Sequence, residues 1–261
     1  MESYGELAGF DIVRHGRSEF NELGPKKNRD PLYRKFSEAY NLDWRSQETF
    51  RLALAVKQKF FLPYSQNHTP ITEEGMRQAR IAGAGLKNVI SLPDAVVISP
   101  SPRTMDTFEC MKEGWPELGE VREVFCDERI REQEHGFMTL FNDMKVFFAL
   151  HPWQRELYEL DGDYFFRFPN GENAPDAKLR LGLWLEDMRK RFANKYVLAV
   201  AHFRIILCLR MILEGFDSEE FTRIDREEGP INCGVTMYRK EPARGKFGKL
   251  GLVCYNKKLY D

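Results

Sequence analysis

Short runs of aliphatic and β-branched residues recur along the chain and end abruptly at polar residues or proline. Such runs are typical of strands that are buried in the middle of a sheet. The clearest runs predict strands over residues 9–13, 95–98 and 196–201. Weaker runs predict further strands, of which the last two would close an edge of the sheet, over residues 121–126, 235–238 and 250–255.

Amphipathic segments separate these runs and carry apolar residues at helical spacing. They predict helices over residues 72–90, 103–111, 175–192 and 205–213. Thr72 suits the N-cap of the first helix. The apolar positions of the third helix include Leu179, Leu183, Leu185 and Met188. Because strands that alternate with helices form a mostly parallel sheet covered on both faces, the predicted fold class is α/β with three layers, α/β/α.

Two segments do not fit this alternation, and we interpret both as insertions into one domain that spans residues 1–261. Residues 21–69 contain a basic cluster and a predicted helix over 48–60, whereas residues 133–173 are rich in aromatic side chains. The two segments are expected to form a cap over the strand ends, with the aromatic side chains in its core. The basic cluster is expected to be a solvated face, with a lid that recruits phosphate as the alternative. Its members are Lys26, Lys27, Arg29, Arg34 and Lys35.

The composition argues against several classes of function. The 261 residues carry 39 basic and 40 acidic side chains, and a net charge of −1 creates no overall field that would attract nucleic acid or a membrane. No apolar run approaches the ~20 residues of a membrane-spanning helix. The first residues lack the basic and apolar regions of a signal peptide. We therefore expect a globular protein with neither a nucleic-acid nor a membrane partner.

The five cysteines are widely spaced, and no two of them form a CxxC pair. Their odd number and their spacing argue against a disulfide framework and against a zinc site. Reduced, buried thiols in a cytoplasmic protein are the expectation. The residues concerned are Cys110, Cys126, Cys208, Cys233 and Cys254.

Polar residues follow each of the three clearest strands. Arg14 and His15 come directly after the first, Ser99 to Arg103 after the second, and His202 after the third. In sheets of this kind, ligands bind at the carboxyl ends of the parallel strands. The sequence therefore predicts that these groups, which are far apart in the chain, meet at one edge of the sheet.

Residues 13–21, in which Arg14-His15-Gly16 is followed by Ser18 and Asn21, resemble the signature of the histidine phosphatase superfamily, the phosphoglycerate-mutase-like enzymes. Four further blocks resemble motifs of that family and occur in the family's order, over residues 70–79, 99–107, 130–136 and 200–202. A segment over residues 165–172 resembles a branch of fungal and plant phosphoglycerate-mutase-like proteins. The resemblance implies the family's fold and a phosphorylated small-molecule substrate.

The resemblance also implies metal-independent phosphoryl transfer through a phosphohistidine on His15, without a cofactor. Arg14 and Arg103 are expected to clamp the phosphoryl group, because arginine forks match phosphate oxygens in a bidentate way. Their charges would keep the ring of His15 neutral, as nucleophilic attack requires. His202 is expected to donate to the phosphoryl oxygens. Glu132 is expected to act first as the general acid and then as the base that activates water.

Two more residues are expected to contact phosphate. Asn21 would add a neutral donor, and Ser18 would either cap the following helix or lie beside backbone donors that bind phosphate. Glu128 and Glu134 are alternatives to Glu132 as the acid, although Glu132 occupies the favoured place in its motif. The remaining histidines are interpreted as ordinary residues of the fold, namely His68, His135 and His151.

Two positions depart from the family's usual pattern. Phe203 follows His202 where a glycine is usual, and its ring would either narrow the pocket or shift His202. Arg17 replaces a more common Glu or Gln, and it would either add a third cation or point away. Because of these two changes, a second class of function is an alternative, namely a phosphate-binding or regulatory protein with little turnover.

A phosphatase that hydrolyses a phosphomonoester is the main functional hypothesis. A phosphoglycerate mutase is the enzymatic alternative, but residues 131–140 lack the tyrosine and the Asn-Lys pair that are typical of such mutases. The oligomeric state is left open, with a homodimer as one option.

Overall fold

Six strands form the sheet of this computed structural model, which describes residues 5–241 and 249–260. The strands are β1 (Gly9–Arg14), β2 (Ala95–Ile98), β3 (Glu123–Cys126), β4 (Tyr196–Ala201), β5 (Val235–Glu241) and β6 (Lys249–Lys257). Their order across the sheet is β3-β2-β4-β1-β5-β6. Strands β1 to β4 are parallel to their neighbours within that group, whereas β5 runs antiparallel to β1 and β6 antiparallel to β5. The predicted mostly parallel α/β sheet is confirmed.

Ten α-helices occur in the described residues. They are α1 (Glu19–Arg29), α2 (Pro31–Leu42), α3 (Gln47–Lys59), α4 (Glu73–Leu86), α5 (Pro102–Gly114), α6 (Met144–Leu150), α7 (Pro152–Phe165), α8 (Ala174–Arg191), α9 (Phe203–Glu214) and α10 (Ser218–Glu227). Gly162 interrupts α7 with a positive φ of 71°. The side chain of Thr72 accepts a hydrogen bond from the backbone N–H of Gly75 at 3.1 Å, so the predicted N-cap of α4 is confirmed.

The central strands are buried on both faces because their side chains alternate between two helical layers. Val96 and Val200 pack in one core cluster with residues of α4 and α5, such as Leu86 and Met111. On the opposite face, the ring of Phe10 lies 5.7 Å from that of Trp184 in α8. This three-layer packing leaves only the ends of the strands open to a ligand.

Helix α8 corrects one detail of the sequence interpretation. Leu179 and Leu183 are exposed, with 71% and 61% of their surface accessible, whereas Leu181, Trp184 and Leu185 are fully buried. Residues 181, 184, 185 and 188 form the stripe that faces the sheet at helical spacing, and residues 179 and 183 lie on another face. Leu179 and Leu183, which the sequence analysis named among the apolar positions of this amphipathic helix, therefore do not lie on its buried face.

The described residues divide into two compact units. The second consists of Glu19–Thr69 and Gln133–Pro175, and the first contains the sheet. These boundaries lie within two residues of the insertions inferred from the sequence, at 19 instead of 21 and at 175 instead of 173. The idea that the second unit caps the strand ends stays a prediction.

Aromatic side chains build the core of the second unit. Phe36 and Tyr40 of α2 share one cluster with Phe147, Phe148 and other side chains of the later segment. Three aromatic residues of that later segment are instead largely exposed, namely Phe137, Trp153 and Phe165. The expected aromatic core is therefore present, although not every ring belongs to it.

The basic cluster of the second unit is only partly a solvated face. Lys27 is buried, and its Nζ donates to the carbonyl of Asn142 at 2.8 Å and to Oδ2 of Asp143 at 2.6 Å. Lys26, by contrast, is exposed and pairs with Glu22. The solvated interpretation is wrong for Lys27, because helical spacing turns it inward while its neighbour faces water.

Two further observations concern the surface. Among the helices within residues 5–241 and 249–260, none is both long and apolar enough to span a bilayer. All five cysteines are free thiols, but Cys126 is exposed and Cys254 is half-buried, so the expectation of buried thiols holds only for Cys110, Cys208 and Cys233.

Candidate active site

The register of the parallel strands brings both site histidines to one edge of the sheet. Arg14 pairs with Ala201 at the end of β1 and β4, and Ile98 of β2 pairs with Val200. The residues that follow these strand ends therefore emerge side by side. The rings of His15 and His202 lie 5.2 Å apart between centroids.

His15 is held in a single tautomer. Its Nδ1 lies 2.7 Å from the carbonyl oxygen of Gly16. Because a carbonyl oxygen only accepts, Nδ1 carries the proton and Nε2 keeps its lone pair. Burial, followed by the charges of Arg103 and Arg14, lowers the pKa of His15 well below its ordinary value. The ring is therefore neutral near pH 7 and has a nucleophilic nitrogen available.

His202 is held in the opposite tautomer. The guanidinium of Arg103 donates to its Nδ1 at 3.1 Å, so its Nε2 carries the proton and donates to Oγ of Ser99 at 2.6 Å. Burial, then Arg103 and His15, hold the pKa of His202 well below its ordinary value. His202 also precedes the first residue of α9, where the positive end of the helix dipole favours an anion.

Arg103 is positioned by the first turn of α5. It follows Pro102, the first residue of that helix, and only 4% of its surface is exposed. Oγ1 of Thr107 donates to the carbonyl of Arg103 and accepts the backbone N–H of Gly16 at 2.8 Å. One threonine thus joins the helix that carries Arg103 to the loop that carries His15.

Arg14 has one donor that no described residue satisfies. Its Nη1 donates to the carbonyl of Pro230 at 2.6 Å, whereas its Nε is buried without a hydrogen-bond partner among the described residues. Burial lowers the pKa of Arg14 to about 10; the charge of Glu132 opposes this shift and that of Arg103 adds to it. A buried, unsatisfied guanidinium donor is costly, and an anionic ligand would satisfy it.

Glu132 is the only one of the three acid candidates that is both buried and in the first unit. Its exposed fraction is 8%, and its charge acts on Arg14. Arg180 of α8 fixes the backbone here by donating to the carbonyls of Arg129 and Glu132. Glu128 is exposed, and Glu134 belongs to the second unit.

Two glycines allow the loop after β1 to lie against the start of α4. A Cβ atom on Gly16 would lie 2.5 Å from the carbonyl oxygen of Gly75, and one on Gly75 would lie 2.2 Å from that of Arg17. The backbone N–H and the hydroxyl of Thr72 both donate to the same carbonyl of Arg17 at 2.9 Å. Ser18 is buried here and forms an isolated β-bridge with Ile71.

The structure brings together Arg14, His15, Arg103, Glu132 and His202. Asn21 lies in α1 of the second unit, and its contact with phosphate stays a prediction, as does that of Ser18.

Sequence reasoning did not assign three residues that hold the site. Ser99 and Thr107 lie inside the motif over residues 99–107, where their hydroxyl groups were the available signal. Asn232 carried no signal at all, yet its Nδ2 donates to the carbonyl of His15 at 3.0 Å.

No cluster of three or more His, Cys, Asp or Glu side chains suited to a metal ion occurs in the part of the chain that the structure describes.

The fold and the site define a class of protein, an α/β protein with two histidines and two arginines gathered at the carboxyl edge of its parallel strands. The chain belongs to branch 1 of the histidine phosphatase superfamily, whose family model matches residues 58–250. The matched range includes Arg103, Glu132 and His202 and begins after His15.

Curated relatives carry two kinds of name. Phosphoglycerate mutase-like protein AT74H of Arabidopsis thaliana is 34% identical over 129 residues, which are 46% of this chain and 43% of the relative. Phosphoserine phosphatase 1 of Hydrogenobacter thermophilus is 24% identical over 193 residues, which are 73% of this chain and 84% of the relative. The chain thus spans less than half the length of the plant protein.

Solved structures share the fold over nearly the whole chain. YhfR of Bacillus stearothermophilus superposes with a TM-score of 0.65 at 16% identity, covering 97% of this chain and 99% of its own. A mycobacterial glucosyl-3-phosphoglycerate phosphatase in complex with inorganic phosphate gives a TM-score of 0.63 at 18% identity, covering 97% and 98%. At these identities the likeness shows the fold alone.

Proposed function

We propose that this protein is a metal-independent phosphatase that hydrolyses a phosphomonoester through a phosphohistidine on His15. One observation carries the proposal: the unprotonated Nε2 of a neutral His15 lies in a buried cluster with Arg14 and Arg103. A phosphate ester is close to doubly negative at neutral pH, and its transfer needs mainly positioning and charge stabilisation. The unsatisfied Nε of Arg14 supports the same conclusion, because a phosphoryl oxygen would accept from it.

In the first step, Nε2 of His15 attacks phosphorus in line with the ester oxygen. The P–N bond forms as the P–O bond to the leaving alcohol breaks. Glu132, which takes up a proton from solvent when the anionic phosphoryl group binds beside it, gives that proton to the leaving oxygen. Arg14 and Arg103 neutralise the charge on the equatorial oxygens. His202 turns its Nε2–H from Ser99 toward the same oxygens.

In the second step, water attacks the phosphohistidine. The Glu132 carboxylate accepts a proton from this water while the new P–O bond forms and the P–N bond breaks. Inorganic phosphate leaves, His15 returns to its neutral form, and Glu132 releases its proton to solvent. Each group therefore ends the cycle in the state in which it began.

A phosphoglycerate mutase is the second candidate, supported by the names of the plant relatives. Residues 131–140 disfavour this candidate, because they lack the tyrosine and the Asn-Lys pair that are typical of phosphoglycerate mutases. A non-catalytic phosphate binder is the third, and Phe203 and Arg17 are its only support.

The decisive measurement is phosphate release from p-nitrophenyl phosphate in the presence of EDTA. The wild-type protein should turn over, His15→Ala should lose activity by about a thousandfold or more, and the exposed His68→Ala variant should match the wild type. Most of the activity surviving in His15→Ala would contradict the covalent mechanism.

A separate assay distinguishes the alternatives. Exchange between 2- and 3-phosphoglycerate after priming with the bisphosphate, together with no phosphate release from any ester, would establish the mutase. Phosphate binding without either activity would establish the non-catalytic binder.

The proposal includes a cytoplasmic location, which the five free thiols support because such thiols persist in reducing compartments. Fractionation of cells that express the tagged protein tests this location, and recovery in a secreted fraction would contradict it.

A further inference from the structure

Phe203 occupies a specific place beside the site. It is the first residue of α9 and directly follows His202. The Cζ atom of Arg14 lies 5.1 Å from the centroid of its ring. The aromatic side chain that departs from the family's usual glycine therefore contacts one of the two arginines expected to bind phosphate.

Gly229 makes room for this ring. A Cβ atom on Gly229 would lie 2.4 Å from Cζ and 2.6 Å from Cε2 of Phe203, so the ring rests directly against the glycine backbone. The backbone of Gly229 lies outside the left-handed region, so its φ does not demand glycine. The ring is the contact that explains why no side chain fits there.

The residues that follow Gly229 form hydrogen bonds with Arg14 and with the backbone of His15. The carbonyl of Pro230 accepts from Nη1 of Arg14 at 2.6 Å, and Asn232 donates to the carbonyl of His15 at 3.0 Å. The guanidinium of Arg14 is thus anchored at Nη1 and lies over an aromatic ring, while its buried Nε has no partner among the described residues.

We propose that Phe203, backed by Gly229, is a positioning residue that holds the guanidinium of Arg14 with Nε free to bind the phosphoryl group. A cation beside an aromatic ring is attracted to its face, and the half-buried ring of Phe203 also shields Arg14 from water on that side. The large side chain thus strengthens phosphate binding at a position where glycine would leave Arg14 free to rotate. The inference rests on the proposed function only in that Arg14 binds the phosphoryl group.

A double-mutant cycle measured by calorimetric binding of inorganic phosphate tests this coupling without requiring turnover. Phe203→Gly should weaken phosphate binding by about tenfold, the scale of a cation–π contact that is partly shielded from water. Gly229→Ala should produce a similar loss, because its methyl group displaces the ring. In the Phe203→Gly background, Gly229→Ala should cause no further loss, since the ring that it displaces is gone.

Two controls keep the result interpretable. Gly182→Ala, at a helical glycine with no neighbour within 4 Å, should leave phosphate affinity unchanged. Phe203→Leu keeps the apolar bulk without the aromatic ring and should lose most of the affinity. If Gly229→Ala fails to fold, the phosphate affinity of Phe203→Leu relative to that of the wild type decides the question.

Independent losses in the cycle, or wild-type affinity in Phe203→Gly or Phe203→Leu, would overturn the inference. The two proposals fail in different ways. Coupled losses of phosphate affinity in a protein that hydrolyses no ester would leave the positioning role intact and reject the phosphatase. Hydrolysis that His15→Ala abolishes and Phe203→Gly leaves unchanged would support the phosphatase and reject the positioning role of Phe203.

Discussion

At the residue scale, the two histidines of the site hold their protons on opposite nitrogens. Gly16 fixes the proton of His15 on Nδ1, and Arg103 leaves that of His202 on Nε2. One ring therefore presents a lone pair and the other an N–H donor. These are the two functions that attack on phosphorus and binding of its oxygens require.

Glu132 carries the first prediction at this scale. Glu132→Gln should slow hydrolysis of alkyl phosphates by about a hundredfold and that of nitrophenyl phosphate far less, because a good leaving group needs no proton. The measurement is kcat over a series of leaving-group pKa values. Glu128→Gln, at an exposed neighbour, is the matched control and should leave the series unchanged. Equal slowing of all esters would remove Glu132 from the acid role.

The sequence predicted that Arg14, His15, Arg103 and His202 meet at one edge of the sheet, because each of them ends or follows a strand or opens a helix. Their catalytic roles stay predictions. The sequence could not predict the contact from Asn232 to the carbonyl of His15, which joins positions 217 residues apart. Nor could the sequence predict the environment of Phe203, whose ring packs against the backbone of Gly229 in space that a side chain there would fill.

At the element scale, the first turn of α5 is tied to the loop after β1 by Thr107. Thr107→Val keeps the shape of the side chain but leaves the buried N–H of Gly16 without its acceptor. We expect a loss of about 1–3 kcal/mol in the free energy of unfolding, together with a lower kcat.

Urea denaturation and steady-state kinetics check this expectation, and Thr107→Ser, which keeps the hydroxyl, should retain both properties. Wild-type stability in Thr107→Val would show that Gly16 finds another acceptor.

Strands were easier to predict from the sequence than helix faces. The bounds of β2 and β4 match the apolar runs over 95–98 and 196–201, because a strand buried on both faces tolerates few polar residues. Helix α8 carries leucine on more than one face, so the pattern alone did not separate the buried Leu185 from the exposed Leu183.

At the scale of the whole molecule, the buried histidines couple stability to pH. His15 and His202 have folded-state pKa values below the ordinary value of 6.5. Below about pH 6.5 these two positions therefore bind more protons in the unfolded chain than in the folded protein, and their contribution to stability falls as the pH falls. Asp11 acts in the opposite sense: its pKa is raised to about 6, chiefly by burial, and its contribution is lost as the pH rises from about 4 to 6.

His15→Ala should therefore become more stable relative to the wild type as the pH falls below 6.5, by at most about 1.4 kcal/mol per pH unit. Unfolding free energies of both proteins between pH 5 and pH 8 test this, and the contribution of Asp11 cancels in the difference. The exposed His68→Ala variant is the control. A difference that does not change with pH would mean that His15 titrates normally in the folded protein.

The second compact unit consists of the two segments that break the alternation of strands and helices in the sequence, with bounds that differ by two residues at one end of each segment. The aromatic side chains of residues 133–173 were expected to form the core of a cap, and Phe147 and Phe148 do pack in one cluster, which also contains Phe36 of the earlier segment. The inward position of Lys27 was not visible, because its partner Asp143 lies 116 residues away.

The loop after Gly229 has a consequence for the order in which the parts of the site form during synthesis and folding. Arg14 and His15 are synthesised more than 200 residues before Pro230 and Asn232, which hold them in place through pairs 216 and 217 residues apart. Strand β5, which pairs with β1, follows that loop. Such distant pairings form slowly, because the long intervening chain must close first. A nascent chain that still lacks this loop therefore carries His15 without the contacts that hold it, and we expect it to gain affinity for phosphate only once residues 230–241 have been synthesised.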